Sequence, residues 1–409
     1  MKVWVKLLVG SILGITLGFL IPENQRLAEV LVWLEQFVLR IGRYAVIPML
    51  VFSLTIGIYD LRQDRQFWPL VLKNLLMIAG VSILIIFSGV LATLVFLPSR
   101  IPILAEEQIE VIRLDVAGYI KDLFPYNMFS VLAGDGVYLF PVCIFAFFFG
   151  IGLSYGRSYG KPVIILVDSL SHIFDSIGSL IMELLGFIMI VLSCYWAIRF
   201  QEILRTDIFL DLILLLGVFA VGLSFGIFPL LLYFLRPKTN PWAVLYGSLG
   251  PAIAAFFSGD INFSLPVLLT HTKDNFGIQR RSNAVSLALF SSFCRAGSAM
   301  VATIAFIVVF KSYSSLGITF AEVLSISVRA LIISCVLVRH PGDGAYTALA
   351  VLCLGYGKGF EAGYLILKPL AFYLVAVGTY LDVMIASFAA YTVARISGLA
   401  EEKNVAHFI

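Results

Sequence analysis

Apolar runs with short polar gaps cover the chain from end to end. A bilayer span takes roughly 20 predominantly apolar residues at a rise of about 1.5 Å each. Val3–Ile21 meets this. Glu29–Tyr59 is a longer second segment, amphipathic at first (Glu35, Arg40, Arg43) and then apolar through IPMLVFSLTIGI. Trp68–Leu97 is a third span and Val137–Tyr155 a fourth. Pro162–Ile198 reads as a broken pair of helices, and Ile208–Leu235 as a further span. Between the third and fourth, Pro98–Phe124 is mixed and polar and is expected to lie outside the bilayer.

From Pro241 the rhythm changes. Trp242–Phe256 is apolar, SGDINFSLP interrupts it, and apolar residues then resume. Ile278–Phe310 is interrupted by SSFCRAGSAM. Phe320–Val338 is interrupted by RHPGDG and resumes as AYTALAVLCLGYG, and Gly363–Ile396 closes the pattern with Asp382 in its middle. Backbone at membrane depth must satisfy its own hydrogen bonds unless it is buried in protein or lines a cavity. Two apolar runs of about 15 residues are each too short to span, so a Gly/Pro/Asp break between them predicts a re-entrant hairpin. A pair of interrupted segments in related positions points to a transporter binding site. The expected fold is therefore all-α and integral to the membrane, with about eight transmembrane helices and two re-entrant helical hairpins.

Composition supports the membrane assignment and removes other classes. Of 409 residues, 60% are hydrophobic and 13% charged, against about 45–50% and about 25% in soluble domains. A net charge of +3 with no basic tract gives no reason to expect a nucleic-acid partner. Lys2 and Lys6 place the N-terminus inside, and Arg62 and Arg65, two spans later, fall on the same side. These lysines before an apolar run could mark a signal peptide, but no small-x-small site follows, so the segment reads as the first span. Cys143, Cys194, Cys294, Cys335 and Cys353 sit in apolar segments without metal-ligand spacing and read as buried thiols. No metal site and no cofactor are expected. No nucleophile–base pair or phosphate loop marks an enzyme.

The interrupted segments carry a resemblance. IPMLVFSLTIGI, LFPYNMFSVLAGDGVYLFPVCIFAFFFGIGLS, FSGDINFSLPVLL, CRAGSAM and HPGDGAYTALAVL, in that order and spacing, resemble the dicarboxylate/amino acid:cation symporter family of glutamate and neutral amino-acid transporters. Ser264–Leu265–Pro266 keeps that family's Thr-Leu-Pro ending of the first tip, and Pro341, Gly342 and Gly344 keep residues of the second. The resemblance implies a homotrimer in the inner (plasma) membrane. It implies residues 1–240 as mostly scaffold with part of the transport domain, 241–398 as the transport core with both hairpins, and 399–409 as a tail. It also implies movement of the transport domain as an elevator.

Departures from the family pattern shape the functional expectation. Where the family has Asn-Met-Asp-Gly-Thr, this chain has Cys294, Arg295, Ala296, Gly297 and Ser298. Ala386 stands at the sodium-binding Asp of the last span. Val375 and Gly378 stand where the family has an Asp and an Arg for substrate, and Asp382 replaces an Asn. The family's serine run becomes Asp260–Ile261–Asn262. Sodium requires hard oxygen ligands, and those are mostly gone. The expectation is a secondary transporter of a small amino acid or dicarboxylate that is sodium-independent or proton-coupled. The alternatives are an ordinary sodium-coupled symporter, an anion-conducting channel-like protein, and a ligand-binding homologue that does not transport.

Ionisable groups inside spans are costly and mark function. The candidate substrate-binding residues are Asp260, Asn262, Arg295, Asp343, Thr379 and Asp382. Arg295 is expected to pair with Asp382 and supply the charge that sodium supplies in relatives, or to grip a substrate carboxylate. A purely structural ion pair is the competing reading. Thr379 and Asp382, three apart, share a helical face. Asp382 serves either as ligand or proton carrier or as ion-pair partner. Asp343 either caps a turn or meets a substrate amine. Asp260 and Asn262 either cap the half-helices or line the site. His340 either titrates or faces water beside Arg339.

Overall fold

A computed structural model describes residues 2–21, 25–96, 100–101, 118, 121–156, 160–205, 207–235, 239–313, 319–357, 359–401, 403–405 and 408. Within them the secondary structure is helical, apart from an isolated antiparallel bridge between Ile278 and Ala400. Most of the polar stretch expected outside the bilayer, Pro98–Phe124, lies outside the described residues.

The first half comprises α1 (Val3–Leu20), α2 (Gln25–Arg43), α3 (Val46–Gln63), α4 (Phe67–Val95), α5 (Phe140–Tyr155), α6 (Lys161–Leu204), α7 (Leu210–Gly222) and α8 (Phe228–Leu235). The second expected segment is thus two helices, broken at Tyr44–Ala45. The expected broken pair at Pro162–Ile198 is instead one continuous helix, α6, of 44 residues. Pro162 sits in its first turn, where a missing N–H costs nothing, and Gly178 and Gly186 leave the helix unbroken. At 1.5 Å per residue α6 is about 66 Å long, roughly twice the hydrocarbon thickness, so it must tilt or project. A π-turn, Leu223–Ile227, joins α7 to α8 just before Pro229. Proline offers no N–H to the preceding turn, and a π-turn absorbs that defect.

The second half comprises α9 (Pro241–Ser258), α10 (Ile261–Asp274), α11 (Arg280–Phe293), α12 (Ala296–Tyr313), α13 (Phe320–Val336), α14 (Gly344–Tyr356) and α15 (Ala371–Ile396). α9 with α10, and α13 with α14, form the two expected hairpins. At 13 residues, α14 is about 20 Å long and falls short of a hydrocarbon core of about 30 Å. The tail does not hang free. Leu399 to Glu401 bonds to the turn at Gly277–Gln279, and Phe408 stacks on Tyr246 at 6.1 Å.

The helices divide into two packing groups that meet where α3 packs on α11. α1 lies along α6, α2 and α3 also pack on α6, and α3 packs on α5. Along α1, Gly10, Gly14 and Gly18 face Gly186, Ser193 and Ala197 of α6 so closely that a Cβ at any of them would collide. Small residues at four-residue spacing let helix backbones approach where no hydrophobic force drives helices together. In the other group, α15 packs on α9 and α12, α12 on α4 and α14, and α9 on α10. Burial varies widely from span to span within each group. The most apolar 18-residue stretch of Arg280–Tyr313 is 94% buried inside the protein, and that of Val3–Leu20 only 28%. Length and composition mark eight apolar spans among the described residues, one of them the first arm of the second hairpin, so the chain is an all-helical multi-pass membrane protein.

Candidate functional site

The two hairpin tips meet. The N–H of Ile261, on the first tip, donates to the carbonyl of Pro341, on the second, at 3.3 Å. Beneath the second tip lies the break between α11 and α12. There Cys294 leaves the helical conformation, and the carbonyl of Arg295 accepts the first bond of α12 from the N–H of Ala299. Arg295 is therefore the residue just before a helix start, where two or three backbone N–H groups need an acceptor.

Asp382, from the middle of α15, supplies it. Its Oδ1 accepts from the N–H of Gly297 at 2.8 Å and of Ser298 at 3.1 Å. Its Oδ2 accepts from the Ser298 hydroxyl at 2.6 Å and from Nε of Arg295 at 2.8 Å. Both side chains of the ion pair are fully buried. One carboxylate thus caps α12 from another helix, meets the positive end of its dipole and neutralises the guanidinium. Isolated charges at this depth would be prohibitive, and a carboxylate with four donors is the arrangement that tolerates burial.

The guanidinium has more to give. Nη2 reaches the Ser298 hydroxyl at 3.4 Å, and Nη1 is buried with no hydrogen-bond partner among the described residues. Gly344, the first residue of α14, lies directly on it. A Cβ there would come within 2.5 Å of Nη2, which explains why the tip needs glycine. The N-terminal end of α14 and a cationic side chain so lie in direct contact, two features that each attract an anion.

The other expected residues are distributed around this pair. Asp260 is the N-cap of α10, and its Oδ1 accepts from the N–H groups of Asn262 at 2.7 Å and Phe263 at 3.1 Å. Its Oδ2 pairs with Nη2 of Arg43, at the end of α2. Asn262 caps nothing and instead donates to the carbonyls of Gly136 at 2.9 Å and Val137 at 2.7 Å, just before α5. Asp343 stands at the N-cap position of α14 but makes no capping bond. Its carboxylate accepts from the Thr347 hydroxyl at 3.0 Å and lies 3.2 Å from Nδ1 of His340. Thr379 points at the first hairpin, with its hydroxyl 3.0 Å from the Ala255 carbonyl and 2.8 Å from that of Val375, so it does not join the Arg295 pair. Arg339 pairs with Asp122 instead of entering the site.

Arg43, Ser298 and Gly344 belong to the site and were missed as candidates. The signal for Arg43 was present, since it is a cation within a segment that reads as membrane-embedded. In the sequence it reads as one of the charges, with Glu35 and Arg40, of an amphipathic stretch. No group of three His, Cys, Asp or Glu side chains that could hold a metal occurs among the described residues, and the five cysteines are unpaired.

Comparison with known proteins places this arrangement in context. The sodium:dicarboxylate symporter family matches residues 3–396. The proton/sodium-glutamate symport protein of Bacillus subtilis (strain 168) is 27% identical over 194 residues, 44% of this chain and 44% of that protein. Excitatory amino acid transporter 1 of Mus musculus is 24% identical over 226 residues, 53% of this chain and 40% of its own. The putative sodium-dependent excitatory amino acid transporter glt-6 of Caenorhabditis elegans is 24% identical over 230 residues, 54% and 41%. The aligned stretches thus span less than half the length of each of these relatives.

Proposed function

The chain belongs to the sodium:dicarboxylate symporter family, and from that premise we propose that it is a secondary transporter of a small carboxylate-bearing solute, an amino acid or dicarboxylate, with Arg295 as its built-in cation. The family is one of symporters, so the chain is a transporter and not an enzyme. The observation that carries the proposal is the occupation of the α11–α12 break. The Arg295 guanidinium and the Asp382 carboxylate fill each other's needs there, and in this reading Ala296 and Ala386 stand where the resemblance would put sodium-binding carboxylates.

In this reading the substrate carboxylate sits between the tips. It takes Nη1 of Arg295 and lies at the start of α14, and Asp343 receives a substrate amine where one is present. Arg is suited to such recognition because its planar fork presents several donors at once. The group of α1, α2, α3, α5 and α6 is the frame. The group with both hairpins is the body that carries the site across the membrane as an elevator, and the assembly is a homotrimer. Residues 1–240 then hold the frame with part of the moving body, 241–398 the transport core, and 399–409 a strap on the base of the first hairpin.

The test is thermal unfolding of the purified protein with amino acids and dicarboxylates, each in sodium chloride and in a sodium-free salt. A ligand at 100 times its Kd stabilises the native state by about 2.7 kcal/mol. The expected outcome is that at least one carboxylate solute raises Tm equally in both salts, and that Arg295→Met removes the shift. A shift that appears only with sodium would replace this reading by an ordinary sodium symporter.

A further inference from the structure

Four ion pairs involving the first hairpin or the start of α11 cross from one packing group to the other. At the tip, Arg43 of α2 meets Asp260. At the base, Lys273 meets Asp175 of α6 at 3.8 Å, Arg280 meets Asp168 of α6 at 2.9 Å, and Arg281 meets Asp64 at the end of α3. The polarity reverses between the two ends. At the tip the frame carries the cation and the hairpin the acid, whereas at the base the frame carries the acids. Sliding the hairpin along the frame by a single helical turn, about 5.4 Å, would separate all four pairs. Asn262 adds a neutral link to the carbonyls of Gly136 and Val137 at the same level as Arg43.

The tip pair differs from the base pairs in burial. The Asp260 side chain is 1% exposed and that of Arg43 19%, whereas each base pair has a partner near the surface. A charge pair in low dielectric is far stronger than one screened by water. Arg43 also lies at a junction. A Cβ on Gly342 of the second tip would come 3.7 Å from its Nη2, and one on Gly136 would come 3.6 Å from its Cβ. Its Nε is buried without a hydrogen-bond partner among the described residues. This one side chain touches the frame loop and both tips.

We propose that Arg43 is a positioning residue of the transport site: through Asp260 it latches the first tip to the frame and holds the moving body in the position seen here. The inference rests on the moving-body reading above. When the body moves, the Asp260 carboxylate keeps its capping bonds to α10 and leaves only Arg43. The latch therefore opens without unwinding the hairpin. Asp260→Asn is the discriminating variant, because an Asn side chain preserves the cap and removes only the charge.

The experiment uses the full chain in lipid nanodiscs, with Cys143 and Cys335 replaced by serine. Spin labels at Ile173→Cys on α6 and Ile332→Cys on α13, both exposed on the protomer surface, read the distance between frame and body. The expected result is one dominant distance in the parent protein. Arg43→Gln and Asp260→Asn each raise a second distance roughly five- to tenfold in population, within the usual range of coupling between sites. The double variant does no more than either alone, because the two residues act through one bond. Arg43→Lys, which keeps the charge, remains closer to the parent. Unchanged populations in both single variants, or a double variant equal to their product, would overturn the latch. If the parent shows two distances that respond to solutes while the Arg43 variants leave the populations alone, the latch fails and the moving body stands. If every variant keeps one distance in every solute and salt, the moving body fails and takes the latch with it.

Discussion

The Arg295–Asp382 and Arg43–Asp260 pairs both stand near the hairpin tips, and they are built for different purposes. Arg295 and Asp382 are both fully buried and belong to one packing group, and every carboxylate oxygen there has two donors. Arg43 and Asp260 join two groups, and the carboxylate divides its labour between a cap on one oxygen and the guanidinium on the other. The first pair cannot open without exposing unsatisfied charge in the protein interior. The second can open at the cost of one ion pair, since the cap stays behind. A buried pair of the first kind specifies a conformation, and one of the second kind selects between conformations.

The sharpest way to break that comparison is to remove the carboxylates. Asp382→Ala leaves Arg295 buried without a counter-charge and strips two backbone donors and a hydroxyl of their acceptor. The expected loss is about 3–5 kcal/mol of stability, read as a fall in Tm or as failure to purify a folded protein. Arg295→Met should cost less, because Asp382 keeps the N–H groups of Gly297 and Ser298 and the Ser298 hydroxyl. If Arg295→Met is the more damaging of the two, the carboxylate is not the organiser of the break.

Next in size is Gly344→Ala. The new methyl group would press on Nη2 of Arg295 from 2.5 Å, and both neighbours are packed too tightly to yield. An overpacked site of this kind costs about 1–3 kcal/mol. The Tm of the unliganded protein should fall by a corresponding amount, and the solute-dependent rise should shrink with it. A full solute-dependent rise in this variant would show that the second tip does not contribute to ligand binding through Arg295.

The hairpins, the break within Ile278–Phe310 and the charged residues of the breaks were legible in the sequence because breaks in apolar runs have few explanations inside a membrane. The Arg295–Asp382 pair was legible for a related reason, since a guanidinium at that depth demands a carboxylate. The unbroken α6 was not legible. Its Gly and Ser residues resemble interruptions, yet Gly186 and Ser193 serve close packing against α1, and Gly178 meets Met49 of α3. Arg43 carries a signal, as a cation in a segment that reads as membrane-embedded, but its partner, 217 positions away in a different packing group, was not legible. Thr379 shares the face of Asp382 by periodicity, but its hydroxyl faces Ala255, and periodicity alone does not say which neighbour a face meets.

Smaller again is the contrast between Asp260→Ala and Asp260→Asn. Both remove the charge that holds Arg43, but only alanine also removes the cap from the N–H groups of Asn262 and Phe263. The alanine variant should be less stable than the asparagine variant by about 1 kcal/mol, the usual worth of a cap, while both shift the spin-label distances alike. Equal stabilities would mean that α10 does not depend on its cap, and the separation of the two roles of Asp260 would collapse.

The smallest expected effect is that of salt, and it separates the two ends of the hairpin. Raising potassium chloride from about 0.1 M to about 1 M shortens the screening length from about 10 Å to about 3 Å. The base pairs of Lys273, Arg280 and Arg281 reach water and feel this, whereas the Arg43–Asp260 pair is largely shielded by burial. Exposed pairs contribute about 0.2–1 kcal/mol each, so the second spin-label distance should grow by about twofold, well short of the change from Arg43→Gln. Arg280→Gln at low salt should reproduce part of the salt effect and remove part of the remaining salt dependence. A salt effect as large as that of Arg43→Gln would move the grip of the frame from the tip to the base, and the hairpin would then be held by its water-exposed charges instead of by the arginine at its tip.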